Sequence, residues 1–349
     1  MRKLSWFNKL AFGFNIVLTV LTFLAYVLPF LAPKLFSILS VLTLILPLFL
    51  ILNACFFVYW LLQLKKQVIL SGLVLLLGIT FINKFYKFSS NELPKEEKDF
   101  TVMSYNVRLF NLFEWIPNKE VGNTILSFVN EQNPDILCIQ EYSENAKIDF
   151  RAYKYKAVYM QGKQIKTGQA IFSKFPIFDK GNLQLPDSDN NVVYADIKKG
   201  KDTIRVYNMH LQSIKISPDV NEISEHVDSI NKGKSQLLLG RLQSAFKKQQ
   251  QQAAILANHK NKCTYPVIIC GDMNNSAFSY IYRNIKGDLN DCFEEAGNGF
   301  GQSYKFKYYP ARIDYILASK KMKVKHFTTF TQFENSDHYP IMTRLSFVE

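Results

Sequence analysis

Four short apolar runs in this 349-residue chain each end in side chains able to hold a hard cation or move a proton. Thr101–Tyr105 runs into Asn106, and Ile136–Ile139 runs into Gln140 and Glu141. Ile204–Tyr207 leads to Asn208, Met209 and His210, and Val267–Cys270 leads to Gly271, Asp272, Met273 and Asn274. Further on come Arg312-Ile313-Asp314 and Ser336-Asp337-His338. Carboxylates and amide oxygens are the ligands that Mg²⁺ prefers. Imidazole is the side chain best suited to exchange a proton near neutral pH.

Groups spread over more than 230 residues of sequence act together only if the fold converges them. Each run is four or five residues long, rich in β-branched side chains, and two follow the turn signals Asn133-Pro134-Asp135 and Tyr265-Pro266, so each reads as a strand. Strands of one sheet that end in polar groups gather them at one edge. Between the runs, Glu120–Asn130 carries Val121, Ile125, Phe128 and Val129 at helical spacing, and Lys234–His259 reads as a longer helix. The expected class is α/β, with helices covering the sheets.

Seven motifs occur in order: Ser104-Tyr105-Asn106-Val107, Gln140-Glu141, Thr167–Ser173, Asn208-Met209-His210-Leu211, Gly271-Asp272-Met273-Asn274, Arg312–Ile316 and Ser336–Pro340. Together they resemble the endonuclease/exonuclease/phosphatase superfamily over residues 100–348. The resemblance implies a two-sheet β-sandwich flanked by helices in four layers. It also implies attack of water on a phosphate ester with a divalent cation, Mg²⁺ or alternatively Mn²⁺. On that reading Glu141, Asn106 and Asp337 are the cation ligands. His338, paired with Asp314, accepts the proton of the attacking water. Asp272 orients or activates that water, Asn274 holds it or a phosphate oxygen, and His210 donates to the developing charge. Asn208 is expected among the substrate-binding groups. Arg108 stands where some nucleases of the family carry a second acidic residue; it is read either as a phosphate contact or as a strand-end charge. Thr167–Ser173 is expected to shape the core, with Gly168 allowing close backbone approach. His226, His259 and His326 are expected to be surface residues.

Five cysteines show no CxxC pair, so neither a zinc knuckle nor a disulfide framework is indicated. Residues 1–99 carry 10 Lys/Arg against 4 Asp/Glu, which leaves +7 of the net +13 on residues 100–349. A moderately basic domain suits a polyanionic substrate or a position near anionic lipid.

The first 83 residues are strongly apolar. Ala11–Ala32, Leu35–Leu62 and the shorter Val68–Ile82 read as three membrane helices, since a span takes about 20 apolar residues. A cleavable signal peptide is the alternative for the first, but a second long span follows without a small-residue cleavage pattern. Arg2, Lys3, Lys9, Lys65 and Lys66, against Lys34 alone in the first turn, place the N-terminus in the cytoplasm, while Lys84, Lys87, Lys95 and Lys98 argue the other way. Three spans then put the C-terminal domain outside the cytoplasm; a third segment that fails to cross would reverse this. Residues 84–99 are polar and breaker-rich and read as a tether before the catalytic domain at 100–349. The expected partners are the bilayer and a phosphate-ester substrate, either DNA/RNA or a phospholipid; no protein partner is readable. An inactive membrane interaction module is the non-enzymatic alternative. The Gln212–Lys234 loop, with Ser213, Lys215, Asp219, Glu222, Glu225 and Asp228, is expected to help define specificity because it follows His210.

Overall fold

The computed structural model describes residues 4–90, 92–162, 165–214, 232–307 and 309–348. His226 and the greater part of the Gln212–Lys234 loop lie outside the described residues.

Alternation of side chains along each strand builds the domain that begins at Phe100. In β2 (Phe100–Asn106), Val102 faces the centre of the molecule, while Met103 and Tyr105 face a helix layer. β3 (Ile136–Tyr142) and β5 (Thr167–Ser173) divide their residues the same way. These strands belong to one six-stranded sheet with β4 (Tyr155–Gln161), β13 (Met322–Thr329) and β14 (Ile341–Phe347), in the order β13-β14-β2-β3-β5-β4. The second sheet runs β10-β12-β9-β8-β7-β6, with β6 Ile177–Gln184, β7 Asn191–Lys199, β8 Asp202–His210, β9 Val267–Asp272, β10 Asn290–Asp291 and β12 Asp314–Ala318. The inner faces meet through Val102, Ile136, Cys138, Ile171, Val206, Ile268 and Cys270, all fully buried.

Helix α6 (Val121–Gln132) covers the first sheet with Val121, Ile125 and Val129. Helices α7 (Lys232–Asn261) and α8 (Tyr280–Lys286) cover the second through Leu256 and Ile281. The result is the four-layer sandwich expected. Each sheet contains one parallel pair, β2/β3 and β8/β9, and every other pairing within the two sheets is antiparallel. The carboxyl ends of both parallel pairs lie at the same edge. Gly168 behaves as expected, since a Cβ there would sit 2.0 Å from the Tyr159 carbonyl oxygen.

Among the described residues, two helices are long and apolar enough to cross a membrane. The first is α1 (Trp6–Val27), prolonged to Phe30; the second is α3 (Leu42–Leu62), with apolar helix from Leu39. The charge-free stretch from Leu35 is therefore not one helix: α2 (Pro33–Phe36) breaks it off. The third expected span is a bent pair, α4 (Val68–Leu77) and α5 (Ile79–Phe85), turning by 61° at Gly78. Polar contacts lock the bundle. Asn15 donates to Ser71 at 3.0 Å and accepts from the Trp60 indole at 3.0 Å, and Asn53 donates to Thr22 at 3.0 Å. Hydrogen bonds of this kind hold helices together where lipid offers no hydrophobic drive.

Residues 84–99 are not a free tether. β1 (Tyr86–Lys87) pairs with β11 (Gly299–Phe300), Leu93 N–H donates to the Lys325 carbonyl at 2.9 Å, and Lys325 pairs with Asp99 at 2.8 Å. Enough polar partners exist on β13 and β14 to pin a segment whose composition alone signals a loop.

Candidate active site

Backbone geometry aims the key side chains. β3 carries one extra residue against β5 between Ile139 and Tyr142, and within that bulge Glu141 takes a left-handed φ of 51°. A bulge re-aims the residues it contains. Gln140 turns into the core, fully buried, and Glu141 remains 31 % exposed at the edge. Gly271 has a φ of 125°, and a Cβ there would lie 2.0 Å from the Met209 carbonyl oxygen, so only glycine lets β9 run this close to β8. Asn274, at φ 50°, occupies the left-handed region that asparagine tolerates, and its N–H donates to Asp272 Oδ1 at 2.7 Å.

Asp272 is the hub. Its Oδ2 accepts from Asn106 Nδ2 at 3.1 Å and lies 3.6 Å from both His210 Nε2 and His338 Nε2. His338 Nδ1 donates to Asp314 Oδ2 at 2.9 Å, the pairing that the motifs implied. Register explains the convergence: His210 and Asp314 both stand opposite Asp272, on the two strands that flank β9. Glu141 Oε1 lies 3.8 Å from His210 Nε2 and 3.4 Å from Asn106 Nδ2. Asp337 meets Arg108 at 3.5 Å, and the Arg108 guanidinium stacks 4.5 Å from the Trp115 ring centroid. Arg108 thus makes an ion pair and a ring contact at the rim, and is more than a solvated strand-end charge.

The chain brings nine of the ten expected residues to this edge; Asn208 is the exception. It is fully buried between the sheets, accepting from Gln140 Nε2 at 2.6 Å and donating to the carbonyls of Ile139 and Ala170 at 2.8 and 2.9 Å. A side chain with every polar atom engaged in the core has none left for a substrate; Asn208 joins the sheets instead. Asn106 also departs from expectation, because its amide nitrogen faces the carboxylates while its oxygen accepts from Arg108 N–H at 3.1 Å. Serving as a cation ligand requires that amide to turn over. His259 and His326 are partly covered rather than free at the surface: His259 Nδ1 meets Tyr207 Oη at 2.8 Å, and His326 meets Thr328 at 2.5 Å.

Ser303 and Tyr304 carried no readable signal, and Ser336, named only as part of its motif, has a structural role. Ser303 Oγ accepts from the N–H groups of Ile313 and Asp314 at 3.0 and 2.9 Å, fixing the start of β12. Tyr304 lays its ring 4.9 Å from the His338 ring. Ser336 Oγ donates to the Asn106 carbonyl at 2.9 Å, tying the His338 loop to β2. Ser303 and Tyr304 stand outside every motif and offer no spacing to read.

Burial, reinforced by the Asp314 charge, pushes Asp272 up to about 6. Burial alone would lower His338, but Asp314 and then Asp272 outweigh it and lift the imidazole to about 10. Burial lowers His210, so that ring is neutral at pH 7. Crowding by surrounding protein raises Glu141. Burial of both carboxyls disfavours their charged forms, and the oxygen-rich set of Glu141, Asp272 and Asp337 fits a hard divalent cation. Asp272, Asp314 and His338 also offer ligand atoms within 4.8 Å of one another, but the bond between Asp314 and His338 already engages two of them.

The sequence profile of the Endonuclease/Exonuclease/phosphatase family matches residues 103–338, from β2 to His338. The chain belongs to this family. Its members are phosphoesterases, and the fold agrees. The catalytic domain of human Nocturnin with bound sulfate is 18 % identical, with a TM-score of 0.54 over 73 % of this chain and 97 % of that one. An endonuclease/exonuclease/phosphatase from Bacteroides vulgatus is 17 % identical, TM-score 0.54, over 72 % and 100 %. A humanized D. rerio TDP2 is 15 % identical, TM-score 0.53, over 72 % and 100 %. A second profile, described as a domain of unknown function, matches residues 8–85. No curated protein matches the chain.

Proposed function

We propose that the chain is a membrane-anchored, Mg²⁺-dependent phosphodiesterase, with Mn²⁺ as an alternative cation. The observation that carries this reading is Asp272 held between Asn106, His210 and the Asp314–His338 pair, with Glu141 alongside. Glu141 and Asp337, with Asn106 once its amide turned, would hold the cation, which would supply charge neutralisation at the phosphate.

The protein's own groups divide the remaining work. Asp272, raised to about 6, is ionised at pH 7 yet basic enough to take the proton of the attacking water. Asn274 steadies that water. His338, raised to about 10, keeps its proton and donates to a phosphate oxygen as charge accumulates there. The sequence reading made His338 the base; its two acidic neighbours favour the reverse division. Neutral His210 donates a further hydrogen bond, and Arg108 contacts phosphate at the rim.

Replacing Asp314 by asparagine removes a charge that holds both Asp272 and His338 up. Both limbs of the pH profile of kcat/KM are expected to move toward acid at constant Mg²⁺. An alkaline limb that stays in place would remove His338 from its role.

For the anchor, the reading is that two apolar helices and the bent pair α4–α5 each cross the bilayer. With Arg2, Lys3, Lys9, Lys65 and Lys66 on the cytoplasmic side, the catalytic domain then lies outside the cytoplasm. Nucleic acid is supported by the +7 charge of residues 100–349. A phospholipid is favoured by a different observation, the packing of Phe278, four residues after Asn274, into the helical bundle. The deciding experiment incubates the full-length protein with plasmid DNA or phospholipid vesicles, with and without Mg²⁺. Nicking that needs the metal supports a nuclease, and headgroup release with intact DNA supports the lipid reading. Hydrolysis of both classes unaffected by a chelator would refute the metal-dependent mechanism.

A further inference from the structure

Proline has no N–H, so within a helix it leaves the carbonyl four residues earlier without its partner. In α3 that proline is Pro47, and the orphaned carbonyl belongs to Thr43. An unpaired carbonyl inside a membrane costs several kcal/mol unless another group satisfies it. Here the partner comes from the catalytic domain: Ser276 Oγ donates to the Thr43 carbonyl at 3.1 Å. One residue along, the Leu44 carbonyl accepts from Tyr309 Oη at 3.3 Å.

Both donors sit on loops that carry the chemistry. Ser276 is two residues after Asn274, and Tyr309 lies on the segment that leads into Asp314. The 273–279 loop is gripped from its other side as well. Gln249 of α7 donates to the Asn274 carbonyl at 3.1 Å and accepts from Asn275 Nδ2 at 2.7 Å, and Tyr315 Oη donates to the Asn275 carbonyl at 3.0 Å. Phe278 closes the dock: it is 4 % exposed, its ring lies 6.0 Å from that of Phe81, and it shares one apolar cluster with Tyr26, Leu46 and Leu50 of the bundle. The loop bearing Asn274 is therefore clamped between α7 and the anchor.

We propose that the anchor is a working part of the catalytic unit: the carbonyl freed by Pro47 holds Ser276, and through it sets the position of Asn274. Ser276 and Tyr309 are positioning residues, and α3 is their support. The proposal rests on the phosphodiesterase reading for its kinetic consequence and on geometry alone for the docking.

The test uses the full-length protein in detergent micelles with Mg²⁺ and bis(p-nitrophenyl) phosphate. Ser276→Ala is expected to lower kcat about tenfold with KM within twofold, and to lower Tm because the Thr43 carbonyl loses its partner. Pro47→Ala returns an N–H to that carbonyl and displaces Ser276, so kcat falls while Tm holds. In the double variant Tm recovers and kcat stays low. Leu48→Ala, at a 51 % exposed position of the same helix, leaves both unchanged. Unchanged kcat in both single variants overturns the proposal, as does a double variant that regains turnover together with Tm. Hydrogen exchange over residues 273–279 decides the docking even if the wild-type chain proves inactive, which would defeat only the functional reading. Faster exchange in Ser276→Ala and Pro47→Ala, but not in Leu48→Ala, supports the dock; equal exchange in all four proteins refutes it.

Discussion

Replacing Asp272 by asparagine is expected to cut turnover by about 10³-fold, the scale of a lost general base, while leaving the protein as stable as before or more so. The two effects share one cause. A carboxyl raised from 3.8 to about 6 by burial and by Asp314 is one whose ionised form the fold disfavours. Its folded pKa lies above its unfolded one, so the unfolded state releases the proton first. Ionised Asp272 therefore destabilises the protein at pH 7, by on the order of 3 kcal/mol at 1.36 kcal/mol per unit. Asparagine removes that burden and keeps one acceptor for the Asn106 amide or the Asn274 N–H. Part of the gain is given back at His338, whose imidazolium loses a neighbouring charge. Thermal melts at pH 7 and steady-state rates on the same preparation check both halves. A variant that turns over normally would remove Asp272 from the chemistry, and one that fails to fold would contradict the stability sign.

Glu141→Gln is expected to raise the Mg²⁺ concentration for half-maximal activity about 100-fold, the upper part of the range for perturbed metal sites. Glutamine keeps the length of the side chain and tolerates the left-handed φ of 51° no worse than glutamate does, so β3 and its bulge persist. What disappears is the charge in the group formed by Glu141, Asp337 and Asn106. A metal titration of activity checks it. If half-saturation stays put, the cation lies instead against Asp272, Asp314 and His338, whose ligand atoms also converge within 4.8 Å.

Much of the site was legible because a strand that stops at a polar residue announces itself. The runs ending at Asn106, Glu141, His210 and Asp272 became β2, β3, β8 and β9, and their ends do meet. Asn208 misled for the same reason: it belongs to a run of interesting residues, yet alternation along β8 turns it inward while His210, two positions on, clears the strand end. Gln140 and Glu141 are adjacent in sequence, and only the bulge decides that one enters the core and the other the cleft.

The sequence by itself determined the strands that end at the site, the α/β class, the inventory of acids, amides and imidazoles, and the presence of apolar N-terminal helices. These follow from periodicity and composition, which are local, while the two-sheet layering entered through the family resemblance. Tertiary structure decided what depends on distance between remote parts of the chain. It put His338 between two carboxylates, which hold its proton and underlie the donor role proposed for it. It also bent the third apolar segment at Gly78 and pinned residues 84–99 to β13 and β14. Finally, it brought the Thr43 carbonyl, orphaned by Pro47, to within reach of Ser276, 233 positions further along the chain. A protonation state or a docked loop is set by which groups become neighbours across the fold, and no spacing along the sequence encodes that.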